Sequence, residues 1–254
     1  MKTNNHRILE YALRIIEYVA FSDTPVTFKD VCSKFDLSKS TLHNILQTLL
    51  NMNYLTKDAR TAEFSVGVRC FEVGNSYLMS DPFYEEAKDI VRNLSIETNE
   101  TTHLGILEGT DVIYLYKFDT TQPFRLCSQV GRRRPAHMTA IGKALLSSCP
   151  DEKLMSLYPE ENLPTCTSRT ISTRQELLRQ IREIRETGVA YEEEESVPYI
   201  KCYATPVLDH YGVAIAAISI AMPIMKGQEE TEKTRQALWE AKMQLESVLR
   251  ALYH

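Results

Sequence analysis

The sequence predicts a two-domain protein: an N-terminal α-rich winged helix-turn-helix domain, then an α+β domain with an antiparallel sheet. Two short capped helices and a hairpin follow one another within the first 66 residues. The remainder mixes hairpin-forming strands with amphipathic helices, the pattern of an α+β domain. We therefore predict a winged helix-turn-helix domain over 1–66, a linker helix over 67–81 and a sheet domain over 82–254.

The composition restricts the class of protein. Hydrophobic residues make up 43% of the chain and charged residues 25%, as in ordinary globular proteins. No apolar run approaches the ~20 residues of a membrane helix, and the start has no signal-peptide pattern, so we expect a cytoplasmic protein. The closest of the six cysteines are 17 residues apart, which excludes CxxC pairs and favours reduced thiols.

The first segment has the periodicity of a packed helix, whose predicted buried face carries Ile8, Ala12, Ile16 and Val19. The turn over 22–25 ends this helix. Thr27 then starts a short second helix, and Asp30, three residues later, predicts a capping box. Val31 and Phe35 provide its buried face.

Ser38 is the predicted N-cap of a third helix that runs to about Asn51. Its apolar residues follow helical spacing at Leu42, Ile45, Leu46 and Leu49. Two strand patterns, over 54–57 and 63–66, then flank a polar turn and predict the hairpin of a wing.

The second domain contains a helix over 82–98 and a hairpin of strands over 103–107 and 112–118. Helices are predicted over 139–148, 174–186 and 228–252, and strands over 189–193, 202–208 and 213–221. The last strand is apolar on both faces, which predicts a central position in the sheet.

Five segments in this order resemble the IclR family of bacterial transcription regulators: LSKSTLHNILQTLLNMNYL, FSVGVRCFEVG, ETTHLGILEGTDVIYLYKF, PAHMTAIGKALLS and GVAYEEEESVPYIKCYATPVLDHYGVAIAAISI. The resemblance implies a GAF-like effector-binding domain, dimers often paired into tetramers, and effectors that are small carboxylates. Three positions depart from the family, which usually has Gly, Arg and Gly where Asp36, Asn44 and Tyr199 stand.

The helix that begins after Ser38 has the polar start of a DNA-reading helix. Such a helix enters the major groove and reads base edges with side chains near its N-terminus. Asn44 and Gln47 share a face, and each can bind adenine through two hydrogen bonds. A solvated helix face is the alternative. The predicted DNA-binding residues are Ser38, Lys39, Ser40, Thr41, His43, Asn44 and Gln47 in the helix, with Lys57 and Arg60 in the wing.

Small residues at the start of the helix near 139 leave its amides accessible, and a helix N-terminus attracts a carboxylate. The Gly142–Lys143 pair lacks the other residues of a phosphate loop. Ser219 needs a partner inside an apolar strand, either a ligand or a backbone carbonyl. By resemblance, Glu192, Glu194 and Cys202 join the effector site. The predicted effector-binding residues are Thr139, Ala140, Ile141, Gly142, Glu192, Glu194, Cys202 and Ser219.

Purely structural roles are the alternative for several of these residues. The run of glutamates over 192–195 is also typical of a solvated face, and Cys202 of a plain core thiol. The three arginines over 132–134 form either a solvated loop or an anion-facing or subunit-contacting segment.

Together these features predict a ligand-responsive DNA-binding regulator, most often a repressor in this family, that controls a catabolic operon. Its expected partners are double-stranded operator DNA, a small carboxylate effector and further copies of itself, with no membrane. The acidic stretch near a carboxylate-binding helix end favours a sugar acid as effector. The alternative is an activator that responds to an aromatic or 2-oxo acid. An enzyme is a remote alternative, because no nucleophile–base pair or metal-ligand spacing is present. We expect no cofactor.

Overall fold

The computed structural model of the chain describes residues 4–121 and 128–253, without the side chains of residues 4–6. It divides into two compact units, Met1–Ser80 and Asp81–His254. Within the described residues, no helix is long and apolar enough to cross a membrane. Cys127 lies outside the described residues, and the five described cysteines are free thiols.

The first unit is a winged helix-turn-helix, which confirms the predicted fold. Its elements in chain order are α1 (Asn4–Phe21), α2 (Phe28–Lys34), α3 (Lys39–Asn51), β1 (Leu55–Lys57), β2 (Phe64–Val66) and α4 (Val68–Met79). The antiparallel strands β1 and β2 form the wing, and a single bridge from Val26 to Phe64 extends it. The helix α4, which the sequence pattern assigns to a linker, clusters with this unit.

The core of the first unit differs in one respect from the predicted pattern. Ile15 is fully buried on α1, whereas Ile8 is 39% exposed and lies outside the core. The predicted stripe is therefore wrong at Ile8, because α1 packs through its C-terminal half. Asp30 accepts hydrogen bonds from both the amide and the hydroxyl of Thr27, which fixes the start of α2 as predicted.

The second unit is an α+β domain, again as predicted. Its elements are α5 (Pro82–Thr98), β3 (Thr101–Glu108), β4 (Asp111–Phe118), β5 (Arg133–Pro135), a 3-10 turn (Ala136–Met138), α6 (Ala140–Ser147), α7 (Asp151–Leu157), α8 (Arg174–Thr187), β6 (Ala190–Glu193), β7 (Ile200–Leu208), β8 (Ala214–Pro223) and α9 (Gln228–Tyr253). The sequence pattern misses α7 and β5, since both are shorter than the windows in which periodicity is visible.

The six strands form one antiparallel sheet in the order β5-β4-β3-β8-β7-β6. The apolar strand β8 lies between β3 and β7, so its predicted central position is confirmed. Successive side chains of a strand alternate between the faces. Ala217 packs with α6 on one face, whereas Tyr203 meets Arg235 of α9 on the other. The sheet is thus sandwiched between α6 with α8 and α5 with α9.

Candidate functional sites

The start of α3 presents a polar surface to solvent. The Ser38 hydroxyl accepts a hydrogen bond from the Thr41 amide at 3.2 Å and lies 2.8 Å from the Thr41 hydroxyl. Both hydroxyls therefore fix the helix start, and Thr41 is half-buried. The other five predicted side chains of this helix are exposed: Lys39, Ser40, His43, Asn44 and Gln47.

One residue of this surface, Asn51, was not predicted from the sequence. The Gln47 side-chain amide donates to the Asn51 side-chain oxygen at 2.9 Å. Asn51 lies one turn further along the same exposed face, and the i, i+4 spacing of two amides was the available signal. The bond orients the Gln47 amide while leaving its carbonyl oxygen free to accept from a base.

The wing carries the other two predicted DNA-binding residues. The Asp58 carboxylate accepts hydrogen bonds from the amides of Arg60 and Thr61, both at 2.8 Å, and these bonds lower the pKa of Asp58. They hold the turn in one shape and leave the Arg60 side chain exposed. The Lys57 ammonium lies 5.6 Å from the centroid of the Phe64 ring, so it makes a cation–π contact within the hairpin.

The second unit contains a cavity of about 40 Å³ between the start of α6 and the sheet. Six of the eight predicted effector residues line it: Thr139, Ala140, Ile141, Glu192, Cys202 and Ser219. Gly142 and Glu194 do not line it, and their part in effector binding stays a prediction. Gly142 lies inside the helix, and the Glu194 carboxylate turns away to accept a hydrogen bond from the Tyr199 amide at 2.8 Å.

Two residues of the first turn of α6, Ala140 and Ile141, line this cavity. The Thr139 hydroxyl accepts from the Gly142 amide at 3.1 Å, and the Thr139 carbonyl accepts from the Lys143 amide. The amides of Ala140 and Ile141 have no acceptor among the described residues, as expected for the first positions of a helix. Two donors and the positive end of the helix dipole therefore meet in a buried space.

Arg134 adds a cation to the same cavity. It lies on the edge strand β5, where it pairs with Val112, and its half-buried side chain lines the cavity. Among the described residues it forms no ion pair, whereas the neighbouring Arg133 lies 3.8 Å from Asp111. Of the two alternatives for the arginine segment, the geometry favours the anion-facing one for Arg134.

His103 was missed by the sequence pattern, because its role depends on pairing between strands. It stands opposite Ser219 in the β3–β8 register, and its Nδ1 lies 3.3 Å from the Ser219 hydroxyl. Its Nε2 lies 2.8 Å from the Ser128 hydroxyl. Burial, reinforced by the charge of Lys117, lowers the pKa of His103 to about 3, so the imidazole is neutral.

The Glu192 carboxylate is fully buried at the cavity wall. It accepts from the Glu195 amide at 2.9 Å and from the Ser196 hydroxyl at 2.8 Å, which fixes the segment that follows β6. Beside it, burial raises the pKa of the Cys202 thiol well above its usual value, with the Glu192 charge adding to the effect. Cys202 is therefore a neutral wall residue and not a nucleophile.

These two surfaces can be compared with known proteins. The family model of the C-terminal domain of the bacterial transcriptional regulator IclR matches residues 75–246. The model of the IclR helix-turn-helix domain matches residues 9–59. The chain belongs to the IclR family. It is a transcription regulator with a helix-turn-helix domain and a ligand-binding C-terminal domain.

Relatives of this IclR-family chain support the assignment. The transcriptional regulator KdgR of Dickeya chrysanthemi is 34% identical over 196 residues, which span 77% of this chain and 64% of that protein. The crystal structure of a transcriptional regulator from Rhodococcus sp. RHA1 has a TM-score of 0.85 and 26% identity, and the match covers 97% of this chain and 99% of that one.

A second similar structure contains a ligand. An IclR homologue from Microbacterium hydrocarbonoxydans, crystallised with 4-hydroxybenzoate, has a TM-score of 0.83 at 22% identity, covering 96% of this chain and 99% of that one. At this identity the similarity shows the shared fold alone.

One of the predicted departures from the family pattern stands at a strained backbone position. Tyr199 has φ 64°, a left-handed conformation that favours the glycine usual in the family. Its amide donates to Glu194 and its carbonyl accepts from the Ile224 amide. These two bonds hold Tyr199 in a conformation that its side chain disfavours.

Proposed function

We propose that this chain represses a catabolic operon and that a small carboxylate, bound in the cavity of the second unit, controls its hold on operator DNA. The observation that carries the proposal is that Ala140 and Ile141, whose amides have no acceptor among the described residues, line one cavity with Arg134, which forms no ion pair there. A carboxylate satisfies all three groups at once.

The opposite wall supports a hydroxylated carboxylate. Ser219, neutral His103 and Glu192 offer both donors and acceptors to hydroxyl groups. A sugar-derived acid carries a carboxylate and several hydroxyls, so it complements both ends of the cavity. An aromatic acid is the alternative, favoured by the apolar Tyr114, with 4-hydroxybenzoate as its natural probe.

The size of the cavity limits how the effector enters. A volume of about 40 Å³ accommodates two or three waters, because one water needs ~10–15 Å³ on this measure. A sugar acid or an aromatic acid is larger, so we infer that the wall moves outward when the effector binds.

The DNA-reading surface is the exposed face of α3 with the wing. Asn44 and Gln47 read base edges, and Lys39, Ser40, Lys57 and Arg60 bind phosphates. The Ser38 and Thr41 hydroxyls shape the helix start, whose free amides also face a phosphate. His43 packs edge-on to Phe28 at 6.4 Å between ring centroids, which positions it at the border of this surface.

A dimer completes the proposed function, since one short helix reads too few bases. The first unit exposes large apolar side chains on two helices, which is typical of an interface. These are Leu9 (61% exposed) and Leu13 (54%) on α1, with Phe71 (70%) and Met79 (68%) on one side of α4. We infer that α1 and α4 bury this face against a second copy; a pair of dimers gives the tetramer.

The test combines a ligand assay with a DNA assay. Gluconate, pyruvate and 4-hydroxybenzoate are added separately, and the thermal midpoint is measured. Gel shifts with the DNA upstream of the protein's own gene then show whether the stabilising acid weakens the complex. We expect Arg134→Met to abolish the stabilisation and Arg133→Met, the matched control on the same strand, to preserve it.

Two results would contradict the proposal. If no carboxylate stabilises the wild-type protein, the cavity is not a carboxylate site. If Arg134→Met and Arg133→Met respond alike to the acid, the cavity arginine does not bind it. An acid that strengthens the DNA complex supports the activator alternative in place of the repressor.

A further inference from the structure

A buried ion pair lies behind the cavity, outside its lining. The Lys143 ammonium is fully buried and bonds to Glu195 Oε1 at 2.8 Å and to Gln180 Oε1 at 2.7 Å. Burial raises the pKa of Glu195, although Lys143 opposes that shift. The pair joins α6 to the segment after β6.

Stability alone does not account for this pair. Removing two charges from water costs more than their attraction returns unless every polar atom is bonded. Here Glu195 Oε2 is buried and makes no hydrogen bond of regular geometry among the described residues, although the nearby Ile171 backbone amide lowers the pKa of this carboxyl. The ion pair therefore contributes little net free energy to folding. Its role is instead the geometry that it imposes on α6 and the segment after β6.

The two residues connect opposite sides of the cavity. Lys143 follows Ala140 and Ile141, which line the cavity, on the same short helix. Glu195 immediately precedes Ser196 and Val197, which line the opposite wall. One ion pair thus joins the proposed carboxylate-binding helix to the segment that carries the lining residues Ser196 and Val197.

Other contacts hold the same wall from two further directions. The Glu195 amide is bound by Glu192, and the Glu195 carbonyl accepts from the Thr170 hydroxyl at 2.6 Å. Thr167 binds the Glu194 carbonyl, also at 2.6 Å. Among these contacts, the Lys143–Glu195 pair is the one that reaches α6.

We propose that Lys143 and Glu195 are positioning residues that hold the wall segment Glu194–Tyr199 against the start of α6 and so set the affinity for the effector. Neither residue touches the effector. This inference rests on the proposed effector function of the cavity.

The experiment replaces the pair by apolar residues of similar size, Lys143→Met with Glu195→Leu, because removing both charges preserves folding better than removing one. The matched control is Lys242→Met with Glu246→Leu, a largely buried ion pair on α9 in the same unit. Amide hydrogen exchange is measured over residues 193–200 and 138–146 without ligand. Titrations use whichever of gluconate, pyruvate and 4-hydroxybenzoate stabilises the wild-type protein.

We expect faster exchange over 193–200 in the Lys143/Glu195 double variant, together with an affinity about tenfold weaker for the acid. The Lys242/Glu246 control should retain wild-type exchange in this segment and wild-type affinity. The thermal midpoint without ligand separates positioning from general destabilisation. We expect it to be unchanged in the Lys143/Glu195 double variant, or to fall by the same amount as in the Lys242/Glu246 control.

Unchanged exchange over 193–200 would overturn the inference, and so would faster exchange with wild-type affinity. A different result would contradict the proposed function. If none of the acids stabilises the wild-type protein, the cavity is not a carboxylate site, whatever the exchange data show about the wall.

Discussion

At the scale of single residues, we propose that DNA specificity rests on Asn44 and Gln47. We expect Asn44→Ala or Gln47→Ala to cost about 1–3 kcal/mol on operator DNA, because each amide can make two bonds to adenine. Competition binding with operator and random DNA measures the effect. Arg60→Ala is the control, since loss of a phosphate contact should weaken both complexes equally. Equal losses for Asn44→Ala on the two DNAs would contradict base reading.

His103 should make the stability of the second unit sensitive to acid. Its pKa falls to about 3 in the folded protein, below the usual ~6.5 of an unfolded histidine. Between these values the unfolded state binds the proton and the folded state does not. Stability attributable to His103 is therefore present above pH ~6.5 and falls as the pH drops towards 3, by about 1.4 kcal/mol per unit within that window.

Urea unfolding at several pH values between 7 and 4.5 tests this expectation. His103→Gln keeps an amide that can bond to the neighbouring serines but removes the proton-binding ring. The difference in free energy of unfolding between wild type and His103→Gln should shrink steadily as the pH falls. Parallel pH profiles for the two proteins would show that His103 does not titrate as its burial requires.

At the scale of elements, the position of α6 depends on Gly142. A Cβ at this residue would lie 2.2 Å from the Ala136 carbonyl oxygen, so the 3-10 turn can approach the helix only if the residue is glycine. We expect Gly142→Ala to destabilise the second unit by about 3 kcal/mol and to remove the response to the acid, since the free amides shift.

Gly74→Ala is the matched control for that substitution. Gly74 is also helical, on α4, and a Cβ there meets no atom within 4 Å. Alanine at this site should stabilise the helix by about 0.5–1 kcal/mol. Thermal unfolding distinguishes the two variants; a neutral Gly142→Ala would show that the turn and the helix separate without cost.

At the scale of the whole molecule, operator binding should require the exposed apolar face of α1 and α4. We expect Leu13→Lys with Phe71→Lys to give a monomer and to weaken operator binding by more than about tenfold, while the acid still stabilises the second unit. Sedimentation measures the mass. Met225→Lys, at an 88% exposed residue of the second unit, is the control. A double variant that remains a dimer would contradict this interface.

The sequence predicted the folds of both units because their signals are local. Capping at Ser38, helical spacing of Leu42 and Leu49 and the polar turn of the wing each depend on neighbours along the chain. The central position of β8 in the sheet is likewise predicted by one continuous run of apolar residues. Fold class therefore follows from short-range pattern.

The effector cavity could be predicted only in part. The start of α6 was visible, since small residues after Thr139 mark an accessible helix end. His103 was not, because a histidine in a strand gives no sign of the residue opposite it. The role of Arg134 was ambiguous because its edge strand has three residues, too few for a periodic pattern.

The sequence by itself determined that the chain joins a winged helix-turn-helix to an α+β domain of the IclR family, and it predicted which helix faces DNA. Only the tertiary structure decided that Glu194 turns away from the cavity, that Arg134 lines it without an ion-pair partner among the described residues, and that Lys143 reaches Glu195 behind it. Those facts depend on residues up to 52 positions apart, whose approach is set by strand register and helix packing.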